Sequence, residues 1–399
     1  MRKRPVVLTI AGSDSGGGAG LQADLKTFTA LGVFGTTVIT GLTAQNTKAV
    51  LKIHEVPLDF IEAQFDAICT DLNPKYAKTG MLASKKIIEL VIKKVKEYNL
   101  GLVLDPVMVA KSGSLLVTED ISETMRKAMK EALITTPNRY EAEILANKKI
   151  TTQDDVKRIA KELYNMYGNV VVKGFDGIDY GVIDGEEMEL KGENISTKNT
   201  HGSGDVFSAA ITAYLALGYG LKESVINAKK FVTFSIKYGL DLGEGHGPVD
   251  PYSYPESIIQ REKGREELEE LLNYLESNLD LTLKLLTDSF KSNVVYLTDY
   301  GDTLSLAGGF IKYLNKIKID GPILNNINND ITNLIRKTSG RVGILLPLTE
   351  KILEAGERGK IKLTKSGLDG DALIYSNMVL IVARDKDELI RKLNEVARD

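Results

Sequence analysis

The segment from Asn199 to Ala210 reads NTHGSGDVFSAA: glycines and hydroxyl residues lead into one carboxylate, Asp205, and then into an almost wholly apolar helical run. The first N–H groups of a helix have no partner within it, and the helix dipole adds about half a positive charge at that end. Such an end receives anions, and Gly202 and Gly204 let the backbone come close to phosphate oxygens. Asp205 stands where it could take a proton from an alcohol. The pattern points to phosphoryl transfer. Taken alone, it also fits a loop with an Asp cap.

A second glycine run, AGSDSGGGAGLQADLKT, spans Ala11 to Thr27. No GK[ST] follows the glycines, so it is not a P-loop. The spacing is also wrong for a dinucleotide fingerprint, and Asp24 sits on the helix that follows.

These loops need elements to hold them. Short β-branched runs at Val6–Ile10, Thr37–Thr40, Leu102–Leu104, Leu133–Thr135 and Val170–Val172 read as buried parallel strands. Helical stretches such as Leu21–Leu31, Asp59–Thr70 and Lys85–Tyr98 alternate with them, which predicts an α/β fold with helices on both faces of a mainly parallel sheet. Asp184-Gly185 marks a hairpin at an antiparallel edge. Polar residues follow five of the strands: Asp14, Gln45, Asp105, Asn138 and Lys173. Ligands bind beyond the carboxyl ends of strands in open α/β sheets.

The chain has 399 residues, 43% hydrophobic and 26% charged, enough for two or three domains. A net charge of −3 gives no reason to expect nucleic acid or a membrane surface as partner. The one cysteine, Cys69, lies in a helical run and reads as a small buried apolar residue; it rules out an intramolecular disulfide framework. The basic start is followed by too short an apolar run for a signal peptide, and no run approaches the ~20 residues of a membrane span. A cytoplasmic protein is expected. The glycine- and proline-rich stretch from Gly239 to Pro251 and the charged Gln260–Glu270 place a domain boundary around Pro255–Gly264. A long helix, Arg265–Phe290, is predicted next, then a second α/β unit with strands at VVYL, GILLP, ALIY and MVLIVA.

Both glycine segments occur in order with TAQNT (Thr43–Thr47), KTGML (Lys78–Leu82), DPVMVAKSG (Asp105–Gly113), TPNRYEAEIL (Thr136–Leu145), VVKG (Val171–Gly174) and GEGHGPV. Over about 250 residues this resembles the hydroxymethylpyrimidine and phosphomethylpyrimidine kinases of thiamine biosynthesis, within the ribokinase-like superfamily. The resemblance implies a three-layer α/β/α kinase domain over residues 1–255, using ATP and Mg²⁺ on a small-molecule alcohol. Asp24 and Gln45 would bond the aminopyrimidine, with Met81 and Val107 as apolar walls. Asp105, Asn138 and Glu141 would organise Mg²⁺. Lys173 would approach the phosphates, Thr200, Gly202, Ser203 and Gly204 would cradle them, and Asp205 would be the base. A homodimer is the family-level expectation. Many pyrimidine kinases of this family carry Cys where this chain has Asp205, whereas the broader sugar and nucleoside kinases carry Asp. A pyridoxine-type or other small-alcohol kinase is the alternative.

Residues 265–399 resemble thiamine-phosphate synthase domains at SNVVYLTDYGD, IDGP and DALIY. The small-residue and histidine segment of the active family is replaced by ILNNINNDITN, and no histidine follows His246. The unit is read as a synthase, or as a degenerate domain that senses ligand or oligomerises.

Overall fold

Near-continuous apolar strands such as VVLTIA can be covered on both faces only in the middle of a layered domain. The computed structural model, which describes residues 3–108, 120–365 and 370–398, puts such strands at the centre of its first unit. Two units divide the chain, Met1–Pro255 and Glu256–Asp399.

The strands of the first unit are β1 (Val6–Asp14), β2 (Phe34–Gln45), β3 (Val50–Glu55), β4 (Tyr76–Thr79), β5 (Gly101–Leu104), β6 (Ile134–Thr135), β7 (Val170–Phe175), β8 (Ile178–Ile183) and β9 (Glu186–Lys191). Its helices are α1 (Gly20–Ala30), α2 (Leu58–Asp71), α3 (Lys85–Glu97), α4 (Ser122–Met129), α5 (Arg139–Ala146), α6 (Gln153–Tyr167), α7 (Ser203–Ala216) and α8 (Leu221–Lys237). The sheet order is β3-β2-β1-β4-β5-β6-β7-β8-β9. Strands β2 through β7 in that order run parallel, and β3, β8 and β9 add antiparallel edges.

Alternation along each strand divides its side chains between two cores. Leu8, Ile10, Leu102, Leu104, Val170 and Val172 pack with helices α2 to α6. Val103 and Val171 face the other way, toward α1, α7 and α8, and Val7 joins Phe28, Ala209 and Ala213 on that side. Helix α7 is buried along nearly its whole length, and its alanines let α1 and α8 pack against it. Cys69 is buried on α2, and burial pushes its thiol up to about 11, consistent with an inert packing residue.

The sequence reading misses β3 and β4. Strand β4 reads YAKT and carries a charged residue, Lys78, at a position that is fully buried. The motif residues Val109–Gly113 lie outside the described residues.

In the second unit the helices are α9 (Ser253–Ser277), α10 (Leu279–Leu285), α11 (Asp330–Ile335), α12 (Glu350–Glu357) and α13 (Lys386–Ala397). Its strands are β10 (Asn293–Leu297), β11 (Thr303–Leu306), β12 (Gly309–Tyr313), β13 (Lys316–Asp320), β14 (Ile323–Asn325), β15 (Val342–Pro347), β16 (Leu363–Thr364), β17 (Ala372–Tyr375) and β18 (Met378–Ala383). Seven strands form one sheet, β14-β11-β10-β15-β18-β17-β16, antiparallel except for β16–β17, and β12–β13 form a separate hairpin. The change of unit falls inside α9 rather than in a loop. The long helix expected over Arg265–Phe290 is interrupted at Asn278, where φ −116 and ψ 56 leave the helical region and separate α9 from α10. Among the described residues, no helix is long and apolar enough to cross a membrane.

Phe28 is wholly buried between α1, β1 and α7. Phe28→Ala is expected to cost about 3–5 kcal/mol, as large-to-small core changes do. Urea unfolding followed by circular dichroism measures it, and an unchanged midpoint would contradict this packing.

Candidate active site

Strand β1 ends in Asp14, and the glycine loop that follows folds back onto that carboxylate. Asp14 accepts N–H bonds from Gly16 (2.8 Å), Gly18 (3.1 Å) and Ala19 (2.9 Å), and its Oδ2 lies 3.1 Å from Nε2 of His201. Burial works to raise its pKa, but His201 and the loop N–H groups outweigh burial and hold it below the ordinary carboxylate value. His201 thus ties the loop before α7 to the loop after β1. The two backbones touch where no side chain could fit. Gly202, at φ +78, caps α7, and a Cβ there would lie 1.9 Å from the carbonyl oxygen of Gly18. A Cβ on Gly18 would lie 2.5 Å from the His201 ring. No side chain caps α7 among the described residues; Ser203 N–H donates to Thr200 O at 3.3 Å, and the first turn of the helix, with Gly204 and Asp205, lines the cleft.

Asp205, in the first turn of α7, is 16% exposed at its side chain, and its Oδ1 lies 3.2 Å from Nζ of Lys78. The same ammonium is 2.8 Å from Oδ1 of Asp24, and Thr9 donates to Oδ2 of Asp24 at 2.6 Å. Asp24 corrects the sequence reading. It is fully buried beneath the cleft, with both oxygens engaged by Lys78 and Thr9, and is absent from the cleft lining. Burial pushes Asp24 up to about 7 against the pull of Lys78. Burial also opposes the charge on Lys78, but Asp24, Asp205 and Asp105 more than offset it and keep the group above the ordinary lysine value.

Asp105 follows β5. It accepts from Ser208 Oγ at 3.2 Å, and its Oδ1 lies 3.7 Å from Nζ of Lys173. Lys173 also stands over the start of α7, 3.1 Å from where a Gly204 Cβ would sit. Asn138 and Glu141 form a reciprocal capping box on α5: Glu141 N–H donates to Asn138 Oδ1 (3.0 Å) and Asn138 N–H donates to Glu141 Oε2 (2.9 Å). Burial and the nearby Asp105 push Glu141 up to about 8, against Lys173 and the N–H groups of Asn138 and Met108. Among the described residues, no cluster of three or more His, Cys, Asp or Glu could hold a metal ion by itself. Two close carboxylates that disfavour each other's charge do suit Mg²⁺, which commonly takes one or two carboxylates and completes its shell with waters and substrate phosphates.

The cleft above these residues has a volume of about 910 Å³. Gln45, Met81, Val107, Asp105, Asn138, Glu141, Lys173, Thr200, Gly202, Ser203, Gly204 and Asp205 all line it. Gln45 lies 3.2 Å from His201 Nε2 and 3.3 Å from Thr43 Oγ1, which also donates to Ser13 O at 3.0 Å. When His201 Nε2 gives its one proton to Asp14, turning the Gln45 amide oxygen toward the ring avoids two opposed donors and lets the amide NH₂ donate to Thr43 Oγ1. Sequence reading missed Lys78 and the cleft residues Arg139, Tyr140 and Ile144, and it gave His201 no partner. Arg139 stacks on the Phe175 ring at 3.8 Å. Their place in TPNRYEAEIL, directly after Asn138, was the signal that could have found them. His246 caps a loop: its Nδ1 lies 3.1 Å from Lys198 O, and its N–H donates to Thr47 O.

Residues 14–250 match the family model described as phosphomethylpyrimidine kinase. A hydroxymethylpyrimidine/phosphomethylpyrimidine kinase of Haemophilus influenzae is 44% identical over 260 residues, 62% of this chain and 97% of that protein. The thiamine biosynthesis bifunctional protein ThiED of Geobacter sulfurreducens is 42% identical over 267 residues, 65% of this chain and 54% of its own length. Among solved structures, the pyridoxal kinase of Staphylococcus aureus in complex with pyridoxal aligns at TM-score 0.59 and 34% identity, over 64% of this chain and 96% of that one. An ADP complex of Bacillus subtilis pyridoxal kinase aligns at TM-score 0.59 and 36% identity, over 63% of this chain and 99% of that one.

The contact between the glycine loops yields a direct test. Gly202→Ala is expected to weaken ATP binding at least about tenfold in calorimetry, because close backbone approach builds the anion site. Gly220→Ala, with nothing within 4 Å and φ −65, is expected to leave binding unchanged. Equal binding by Gly202→Ala and the wild type would contradict the cradle.

Proposed function

The chain belongs to the phosphomethylpyrimidine kinase family, and from that premise we propose that residues 1–255 phosphorylate 4-amino-5-hydroxymethyl-2-methylpyrimidine and then its monophosphate, using ATP. The observation that carries this reading is the start of α7, which has no side-chain cap and places its glycine-containing first turn and a carboxylate, Asp205, on one cleft. The substrate hydroxyl gives its proton to Asp205, its oxygen attacks the γ-phosphorus, and the bond from that phosphorus to the ADP oxygen breaks. Gly202 to Gly204 and Lys173 receive the charge on the transferring group, the kind of preorganised stabilisation that carries most of such reactions. Asp105 and Glu141 would hold Mg²⁺, which, when bound, neutralises phosphate charge. Asn138 has its side-chain oxygen in the helix cap and would help hold the metal through Glu141. Gln45 would bond the amino and ring-nitrogen edge of the pyrimidine, between Met81 and Val107.

A second reading is favoured by the likeness to two pyridoxal kinases: a pyridoxine-type alcohol enters the same cleft. For residues 265–399, condensation of the diphosphate with thiazole phosphate is the proposed role, with ligand sensing or oligomerisation as the alternative. A homodimer in the cytoplasm completes the proposal.

A coupled assay of ADP release tests the kinase reading. The wild type is expected to turn over hydroxymethylpyrimidine with a higher kcat/KM than pyridoxal, and Asp205→Asn to lose about 10²–10⁴-fold in kcat, the usual contribution of a general base. A wild type without turnover overturns the reading, and a fully active Asp205→Asn overturns the base. With thiazole phosphate added, thiamine phosphate is the product expected of the second unit; its absence leaves the alternative.

A further inference from the structure

Lys78 has no part in the transfer as described, yet its charge is wholly enclosed. It lies on β4 in register with Thr9 of β1 and Val103 of β5, on the face turned toward α1 and α7. Its side chain and that of Asp24 are both wholly buried. Burying two ions is costly, and an apolar pair of similar volume often stabilises a fold as well or better. A purely structural pair would therefore be a poor use of the place. The geometry shows a further connection: the ammonium that holds Asp24 at 2.8 Å also reaches Asp205 at 3.2 Å, and Asp205 is the only one of the three that lines the cleft. The charged groups around Asp205 come from separate elements. Lys78 comes from β4 and Asp24 from α1. Asp105 follows β5 and shares the Ser208 hydroxyl with the Asp205 carbonyl, and Lys173 comes from β7, over Gly204.

We propose that Lys78 is a positioning residue for Asp205, an inference that rests on the kinase reading above: the ammonium fixes Oδ1 of the base so that Oδ2 meets the substrate hydroxyl, and Asp24 keeps the ammonium in place throughout the step. In the transfer, the substrate O–H bond breaks and its proton forms an O–H bond on Oδ2 of Asp205. The freed oxygen pair forms the bond to the γ-phosphorus, and the bond to the bridging oxygen breaks with its electron pair leaving on ADP. Lys78 exchanges no proton. Once Asp205 is neutral, Lys78 and Asp24 remain a balanced buried pair, so no uncompensated ammonium is created at that moment.

The test uses full-length protein, hydroxymethylpyrimidine and ATP. Lys78→Met is expected to lower kcat about 10²-fold, the scale of a misplaced catalytic group, with KM for the pyrimidine within about threefold of wild type. Because Lys78→Met leaves Asp24 buried without its partner, it is paired with Asp24→Asn/Lys78→Met. The double variant is expected to recover the thermal midpoint while kcat stays low. If it restores kcat to near wild type, Lys78 serves only to neutralise Asp24 and the proposal is overturned. Wild-type kcat in Lys78→Met alone overturns it too. Asp205→Asn separates the two levels: inactive Asp205→Asn beside active Lys78 variants removes the positioning role alone, and active Asp205→Asn removes the base and the positioning role together.

Discussion

The backbone of Gly202 lies against the carbonyl of Gly18, at a separation that leaves no room for a side chain on either loop. That contact joins the exit of β1 to the entry of α7, two places nearly 200 residues apart in the chain, as the Asp14–His201 bond across them also shows. It is possible because α7 is buried along its length by α1, α8 and the sheet, so its start cannot slide. The glycines supply close approach, and the packed helix supplies the fixed direction of the N–H groups. The chemistry proposed for the cleft depends on both.

Beneath that contact the site is organised by charges set in apolar surroundings. Lys78 stands among three carboxylates, and Glu141 sits beside Asp105 with the N–H groups of Asn138 and Met108 and with Lys173 to relieve it. Such groups are costly to bury unless each has a partner. The sheet meets the requirement by bringing partners from different strands to one end: Asp14 from β1, Gln45 from β2, Asp105 after β5 and Lys173 on β7.

The layered fold was legible because strands covered on both faces must be almost continuously apolar, as VVV is and as VVLTIA is apart from Thr9. Strand β4 escaped because YAKT breaks that rule with Lys78, and the reason for the break lies in Asp24 and Asp205, on other elements. Asp24 was expected as a ligand contact because the resemblance implied it, and the non-local lysine that engages it is seen only in the fold. The spacing of Asn138 and Glu141 is a local signature, so their pairing could be read, although as a cap it needs no metal. The cleft residues Arg139, Tyr140 and Ile144 lie within TPNRYEAEIL, but which residues of that motif face the cleft becomes visible only when α5 is seen beside the glycine loops. The break at Asn278 depends on a single backbone angle that leucine spacing does not reveal.

Phosphorus NMR of the wild-type chain with ATP, Mg²⁺ and 4-amino-5-hydroxymethyl-2-methylpyrimidine tests the central claim most directly. A phosphomonoester resonance that forms first and gives way to a pyrimidine diphosphate, in step with ADP, is the result the two-step kinase requires. ADP formed together with free orthophosphate and no pyrimidine ester would contradict it.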